Sequence, residues 1–224
     1  MPSRKITFAN GRIYHIYNKT LEKKHLFDNQ KLGYLFLDLI SYYRSTKATL
    51  RYLRLKELNN YLAVVKRKDC SDPKFYRVDL MAYCLMPTHY HLLLKQTAEN
   101  GAMRFMADII NSFTRYVNIA TERKGPIFLT QFKASYIRAE DELKHVSRYI
   151  HLNPYSGGLV RNYSDLLDYQ FSSLKEYVKL TAEPLSATSE VLSLFQADRT
   201  RYKRFVLSNA EYQKRLERAK RQSK

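Results

Sequence analysis

Cysteine is scarce in this chain. The two present, Cys70 and Cys84, cannot form a disulfide framework or a four-ligand zinc site unaided. They read as reduced thiols of a cytoplasmic protein. Long apolar runs are missing: none approaches the roughly 20 residues that a membrane-spanning helix needs. The N-terminal MPSRKITFANGR lacks the apolar stretch of a secretory signal. Carboxylates are also in short supply. Asp and Glu number 21 against 39 Lys and Arg, so the formal net charge is +18 and the pI about 9.8. Such an imbalance without a membrane anchor points to a polyanionic partner, most often nucleic acid. The bland alternative is a merely basic protein. Nineteen tyrosines and eleven phenylalanines add faces on which single-stranded bases could stack, although most must fill a core.

What is present reads as one domain of ordinary size with an appendage: residues 1–178, then a basic helical extension over 179–224. GRIYHIYN (11–18) alternates as a strand does. Residues 28–46 carry apolar side chains at 32, 35, 36, 39, 40 and 43, a helical spacing, with Asp28 as the expected N-cap. Residues 46–73 mix basic and apolar positions and read as a further helix or an insertion. Residues 75–84 and 89–95 read as two strands joined tightly through Met86-Pro87-Thr88. Residues 99–122 carry the strongest apolar stripe, through Met106, Ile109, Ile110, Phe113, Val117 and Ala120. A further extended segment is expected over 127–138, then a short helix over 140–152 with an acidic first turn. Asn153-Pro154 is expected to end that helix, because the residue before proline avoids the helical region. The order β–α–(α)–β–β–α–β–α predicts an α+β fold, a largely antiparallel sheet with helices on one face.

Two spacings carry chemistry. In HYH, His89 and His91 share one face of a strand, about 7 Å apart, and Tyr90 points away. The pair reads equally as two satisfied core histidines or as two ligands of one metal ion. On the helix at 140–152, Tyr149 and Asn153 are four apart and share a face. Two imidazoles and one amide oxygen, with positions left open, suit Mg²⁺ or Mn²⁺ at a phosphate better than a closed structural zinc. A phenol beside them is a candidate nucleophile. The remaining histidines (15, 25, 145 and 151) form no HExxH-type site. Tyr116 on the long helix is the rival nucleophile. Its position four residues on is Ala120, which binds no metal, so packing or DNA contact is the favoured role there. Lys133, Arg138, His145 and Arg148 are candidate DNA contacts, with a solvated charged face as the alternative.

At these residues the chain resembles a known family. HYH is similar to the histidine–bulky–histidine motif of the HUH endonuclease superfamily. YCLMPTHYHLLLK and RYIHLNPYSGGLV look like the single-tyrosine transposases of that superfamily, closest to the REP-associated tyrosine transposases. GRIYHIYN and GPIFLTQFKASYI fit the same pattern, so the likeness runs from about residue 10 to 175. The resemblance implies a ferredoxin-like (RRM-like) sheet with the histidine pair on a central strand and a separate helix delivering a tyrosine. It implies cleavage and rejoining of single-stranded DNA at hairpins through a 5′-phosphotyrosine, with Mg²⁺ or Mn²⁺ as cofactor. Carried over, His89, His91 and Asn153 are the metal ligands and Tyr149 the nucleophile. It implies a cytoplasmic protein held at the nucleoid through DNA, as a monomer or as a homodimer that exchanges the tyrosine helix. Gln131 stands where relatives often have arginine, and Tyr155-Ser156 replaces a small apolar pair after Asn-Pro. The alternative is a catalytically silent protein of the same fold that binds hairpin DNA or RNA. A replication-initiation nickase is disfavoured, because no second tyrosine lies four residues from Tyr149.

Overall fold

The computed structural model describes residues 6–222. Residues 1–5, where a signal sequence would begin, and the last two residues of the basic tail lie outside the described residues. Four strands form one antiparallel sheet: β1 (Ile13–Lys19), β2 (Val78–Met86), β3 (His89–Gln96) and β4 (Lys133–Ile137), in the order β2-β3-β1-β4. With α1 (Gln30–Tyr43) after β1 and α3 (Gly101–Ala120) after β3, this is the βαββαβ ferredoxin-like arrangement that was expected. The hairpin turns at Pro87-Thr88, and a bulge lies between Leu80 and Ala82. Of the extended segment expected over 127–138, only Lys133–Ile137 is a strand, although Phe128 makes a lone bridge to Thr20.

The pleat divides the molecule. Tyr14, Ile16, Tyr90, Leu92 and Leu94 point to one face and pack with Phe36, Leu39 and Ile40 of α1 and Phe105, Ile109 and Phe113 of α3. Met86, Leu93 and Ile137 point to the other face, where α4 (Glu140–Ser156) packs with Ile150, Leu152 and Tyr155. The later helices build on α4: α5 (Leu174–Val178), α6 (Ser189–Ser193), α7 (Arg199–Leu207) and α8 (Ala210–Gln222). Tyr177, Val191, Tyr202 and Val206 complete this second core. Both faces therefore carry helices: α1 and α3 on one, as expected, and α4 with the C-terminal helices over part of the other. A Cβ at residue 101 would lie 2.2 Å from the Arg77 carbonyl oxygen, so the close approach of α3 to the start of β2 requires glycine.

Two local expectations are corrected. Asn29, not Asp28, caps α1, accepting from the Lys31 N–H, and Asp28 pairs instead with His25 at 2.8 Å. Asn153-Pro154 does not end α4, which continues to Ser156 with Pro154 inside it. Packing overrides the local preference, because Ile150, Leu152 and Tyr155 are buried on both sides of the proline. The uncertain stretch 46–73 folds as a 3-10 turn over Tyr52–Lys56 and a helix, α2 (Asn60–Cys70). Tyr52 and Leu55 join the first core, while Tyr61 and Val64 of α2 face outward.

Candidate active site

The second face of the sheet is only partly covered. Beyond the edge of α4 it opens into a cavity of about 660 Å³. Strand alternation puts His15, Tyr17 and Lys19 of β1 and His89 and His91 of β3 on its floor. Tyr17 lies directly across from His91, and Lys19 across from His89. Tyr149 and Asn153 on α4 form one wall, four residues and one helical turn apart. Glu217 and Lys220 of α8 form another and pair at 2.8 Å. The four residues expected from HYH and from the Tyr149/Asn153 spacing thus meet in one place. The ring centroids of His91 and Tyr149 are 5.5 Å apart.

The other candidates lie elsewhere. Tyr116 packs against the core on the opposite face of the sheet and does not line the cavity. His145 and Arg148 bond to each other at 2.7 Å and lie against Phe205 of α7, also off the cavity. The Arg138 backbone N–H donates to Glu142, and its side chain is exposed. Lys133 stands on the cavity side of β4, across from Tyr17, outside the lining.

Hydrogen bonds orient the donor set. Nδ1 of His89 engages Thr88 Oγ1 at 3.1 Å, and Nδ1 of His91 engages Nε2 of His15 at 2.9 Å. A hydrogen bond on Nδ1 orients each ring, as is common at histidine-bound metals. Asn153 donates through Nδ2 to the Tyr149 carbonyl at 2.8 Å, which leaves Oδ1 for the cavity. Burial holds two of the imidazoles, His15 and His91, neutral. It lowers His15 to about 4 and His91 well below the ordinary value, and His15, His89 and Lys19 add to the effect on His91. Neutral imidazole is the ligating form. Among the described residues, no three His, Cys, Asp or Glu side chains cluster as a metal site. A divalent ion on this pair would take its third protein ligand from another residue type, and Asn153 has the hard oxygen that Mg²⁺ and Mn²⁺ prefer. The residues fit such an ion.

Tyr149 is a neutral phenol at neutral pH. Burial pushes it up to about 12; Glu217 and Tyr17 reinforce this, and the Asn153 hydrogen bond opposes it. The helix that carries it is braced from α8. Gln213 Nε2 donates to the Tyr149 carbonyl at 3.1 Å and to Ser156 Oγ at 3.3 Å. Tyr155 bonds Glu211, and Lys214 lies 3.9 Å over the Tyr155 ring. Tyr155 and Ser156 are thus the seat of α8.

His15, Tyr17, Lys19, Glu217 and Lys220 escaped the reading of the sequence. The alternation of HIYNK marked the first three as sharing a face, but nothing in the spacing said which face met the histidine pair. No helix among the described residues is long and apolar enough to cross a membrane.

No protein-family model matches the chain, and no curated protein sequence matches it significantly. A solved structure does resemble it: a REP-associated tyrosine transposase bound to a REP hairpin, 16% identical, with a TM-score of 0.55 over 85% of this chain and 93% of the other. The chain shares the fold of that transposase.

Proposed function

We propose that the protein is a divalent-metal-dependent strand transferase that cuts and rejoins single-stranded DNA at hairpins through a tyrosine nucleophile. One observation carries the reading: Tyr149 and Asn153 of α4 and His89 and His91 of β3, far apart in sequence, line a single cavity. The net charge of +18 suits a polyanionic substrate. The shared fold with a transposase bound to a hairpin supports hairpin DNA as the substrate class.

In the proposed step, Oη of Tyr149 attacks a backbone phosphorus. The P–O3′ bond breaks, the phenol loses its proton, and the departing O3′ gains one. The products are a 5′-phosphotyrosine and a free 3′-hydroxyl. Attack by a different 3′-hydroxyl reverses the step and joins strands. His89, His91 and Asn153 would hold the divalent ion, which polarises the phosphate and lowers the energy of the charge that develops on it. Lys19 and Lys220 place cations beside the phosphate path, and Tyr17 offers a ring to a base. Asn153 fixes the turn of α4 that presents Tyr149. In this reading one chain supplies all of these groups, and the site needs no second copy. Lys133, across from Tyr17, extends the basic rim. A cytoplasmic protein bound to the nucleoid is the corresponding location.

The test uses 5′- and 3′-labelled hairpin oligonucleotides from the DNA flanking the coding region, with Mn²⁺, Mg²⁺ or chelator. The expected result is a denaturant-resistant protein–DNA adduct that needs the ion, persists in Tyr116→Phe and disappears in Tyr149→Phe. Tight binding without adduct under every ion would support instead a silent hairpin-binding protein.

A further inference from the structure

The cavity contains a third imidazole that the proposed step leaves unused. His15 of β1 is 9% exposed, and its ring stacks on that of His91 with centroids 5.1 Å apart and planes at 24°. Its Nε2 stands 2.9 Å from His91 Nδ1, a buried hydrogen bond between residues 76 apart in sequence. Two neutral imidazoles share such a bond in only two ways. Either His91 carries its proton on Nδ1 and donates to a bare His15 Nε2, or His15 Nε2–H donates to a bare His91 Nδ1. The two states differ in what His91 offers the cavity. The first leaves a lone pair on Nε2. The second leaves an N–H there, which binds no metal.

A ligating Nε2 must be bare, so the reading of His91 as a ligand requires the first state, and the nearby charge of Lys19 agrees with it. Lys19 lines the same cavity, where its charge favours a lone pair over another N–H, while Lys220 is neutralised by Glu217 at 2.8 Å. The neighbouring His89 engages a hydroxyl, Thr88 Oγ1, which rotates to suit either state of its ring. At His91 the partner is a second ring nitrogen, so the tautomers of His15 and His91 are set together.

We infer that His15 is a positioning residue: it accepts the Nδ1 proton of His91 and so keeps His91 Nε2 as a lone pair facing the cavity. The inference rests on the reading of His91 as a metal ligand. It goes further in assigning to β1 a part in building the site, through a side chain that acts on the ion by way of His91.

The tautomer is read directly. Ring-¹⁵N-labelled, metal-free protein would be examined by NMR above pH 7 as wild type, His15→Phe and His15→Gln, and Mn²⁺ affinity measured for each by calorimetry. In wild type His91 is expected as the Nδ1–H form. His15→Phe keeps a stacking ring but no acceptor; His91 should move toward Nε2–H, and Mn²⁺ should bind roughly 10- to 100-fold more weakly. His15→Gln restores an acceptor oxygen and should restore both. An Nε2–H ring at His91 in wild type overturns the inference, whatever the variants do. So does a folded His15→Phe protein with unchanged tautomer and affinity. A His15-dependent Nδ1–H form in a protein that binds no Mn²⁺ would leave the positioning role standing and remove the metal reading of the cavity.

Discussion

Single side chains here are placed by two short periodicities. A strand repeats every two residues and a helix nearly every four, so His89 with His91, and Tyr149 with Asn153, could be paired from spacing alone. His15 could not, because its partner lies across a strand pairing that no local pattern reveals. His151 is a third kind of case. It is fully buried, with Nδ1 2.7 Å from the Tyr202 hydroxyl and Nε2 2.8 Å from Ser173 Oγ, and burial lowers it to about 3. Between pH 6.5 and about 3 the unfolded chain binds a proton there that the folded protein does not. Stability therefore falls as pH drops through that window, by about 1.4 kcal/mol for each pH unit crossed. Denaturant titrations at pH 7 and pH 5 should show a loss to which the buried His15 and His91 also contribute, and about a third of it should vanish in His151→Gln. That variant will itself be less stable at pH 7, since it disturbs a buried polar network.

At the scale of elements, α4 and α8 act as one unit. Pro154 looked like the end of α4. It was misread because proline's local preference says nothing of the buried contacts that carry the helix on to Ser156. That extra turn bears Tyr155 and Ser156, on which α8 sits. The basic residues of α8 were legible as charge, but not its position beside the cavity. Gln213→Ala removes both of its hydrogen bonds, to the Tyr149 carbonyl and to Ser156. Thermal melts should show a loss of about 1–3 kcal/mol. Glu217 opposes ionisation of Tyr149. Glu217→Gln should lower the phenol's pKa, raise the phenolate fraction at a given pH, and shift the pH profile of adduct formation to lower pH. A slower reaction with no such shift would mean that the carboxylate takes part in the proton transfer instead.

For the whole molecule, the order of elements was readable because each main strand and helix had a clear period. The covering of both sheet faces was not. The segment from 179 onward shows only short helical pieces, and its packing on α4 depends on contacts such as Tyr202 and Val206 that are remote in sequence. The excess of positive charge predicts strong salt dependence. If six to ten phosphates are neutralised, hairpin affinity should fall by about 10³–10⁵ between 50 and 200 mM salt. A nearly flat salt profile would argue against DNA as the partner. Since Tyr149 meets the histidines of its own chain, mixing Tyr149→Phe with His91→Ala protein should restore no activity. Recovery would show that the tyrosine helix is exchanged between chains.

The central claim, that Tyr149 becomes covalently joined to DNA beside His89 and His91, is tested most directly by mass spectrometry of the adduct. Wild-type protein would be reacted with hairpin DNA and Mn²⁺, digested with nuclease and trypsin, and all tyrosine-bearing fragments, residues 149–161 among them, sequenced by fragmentation. The account predicts a nucleotide 5′-phosphate on Tyr149. The same mass on Tyr17, Tyr116 or Tyr155 would contradict it.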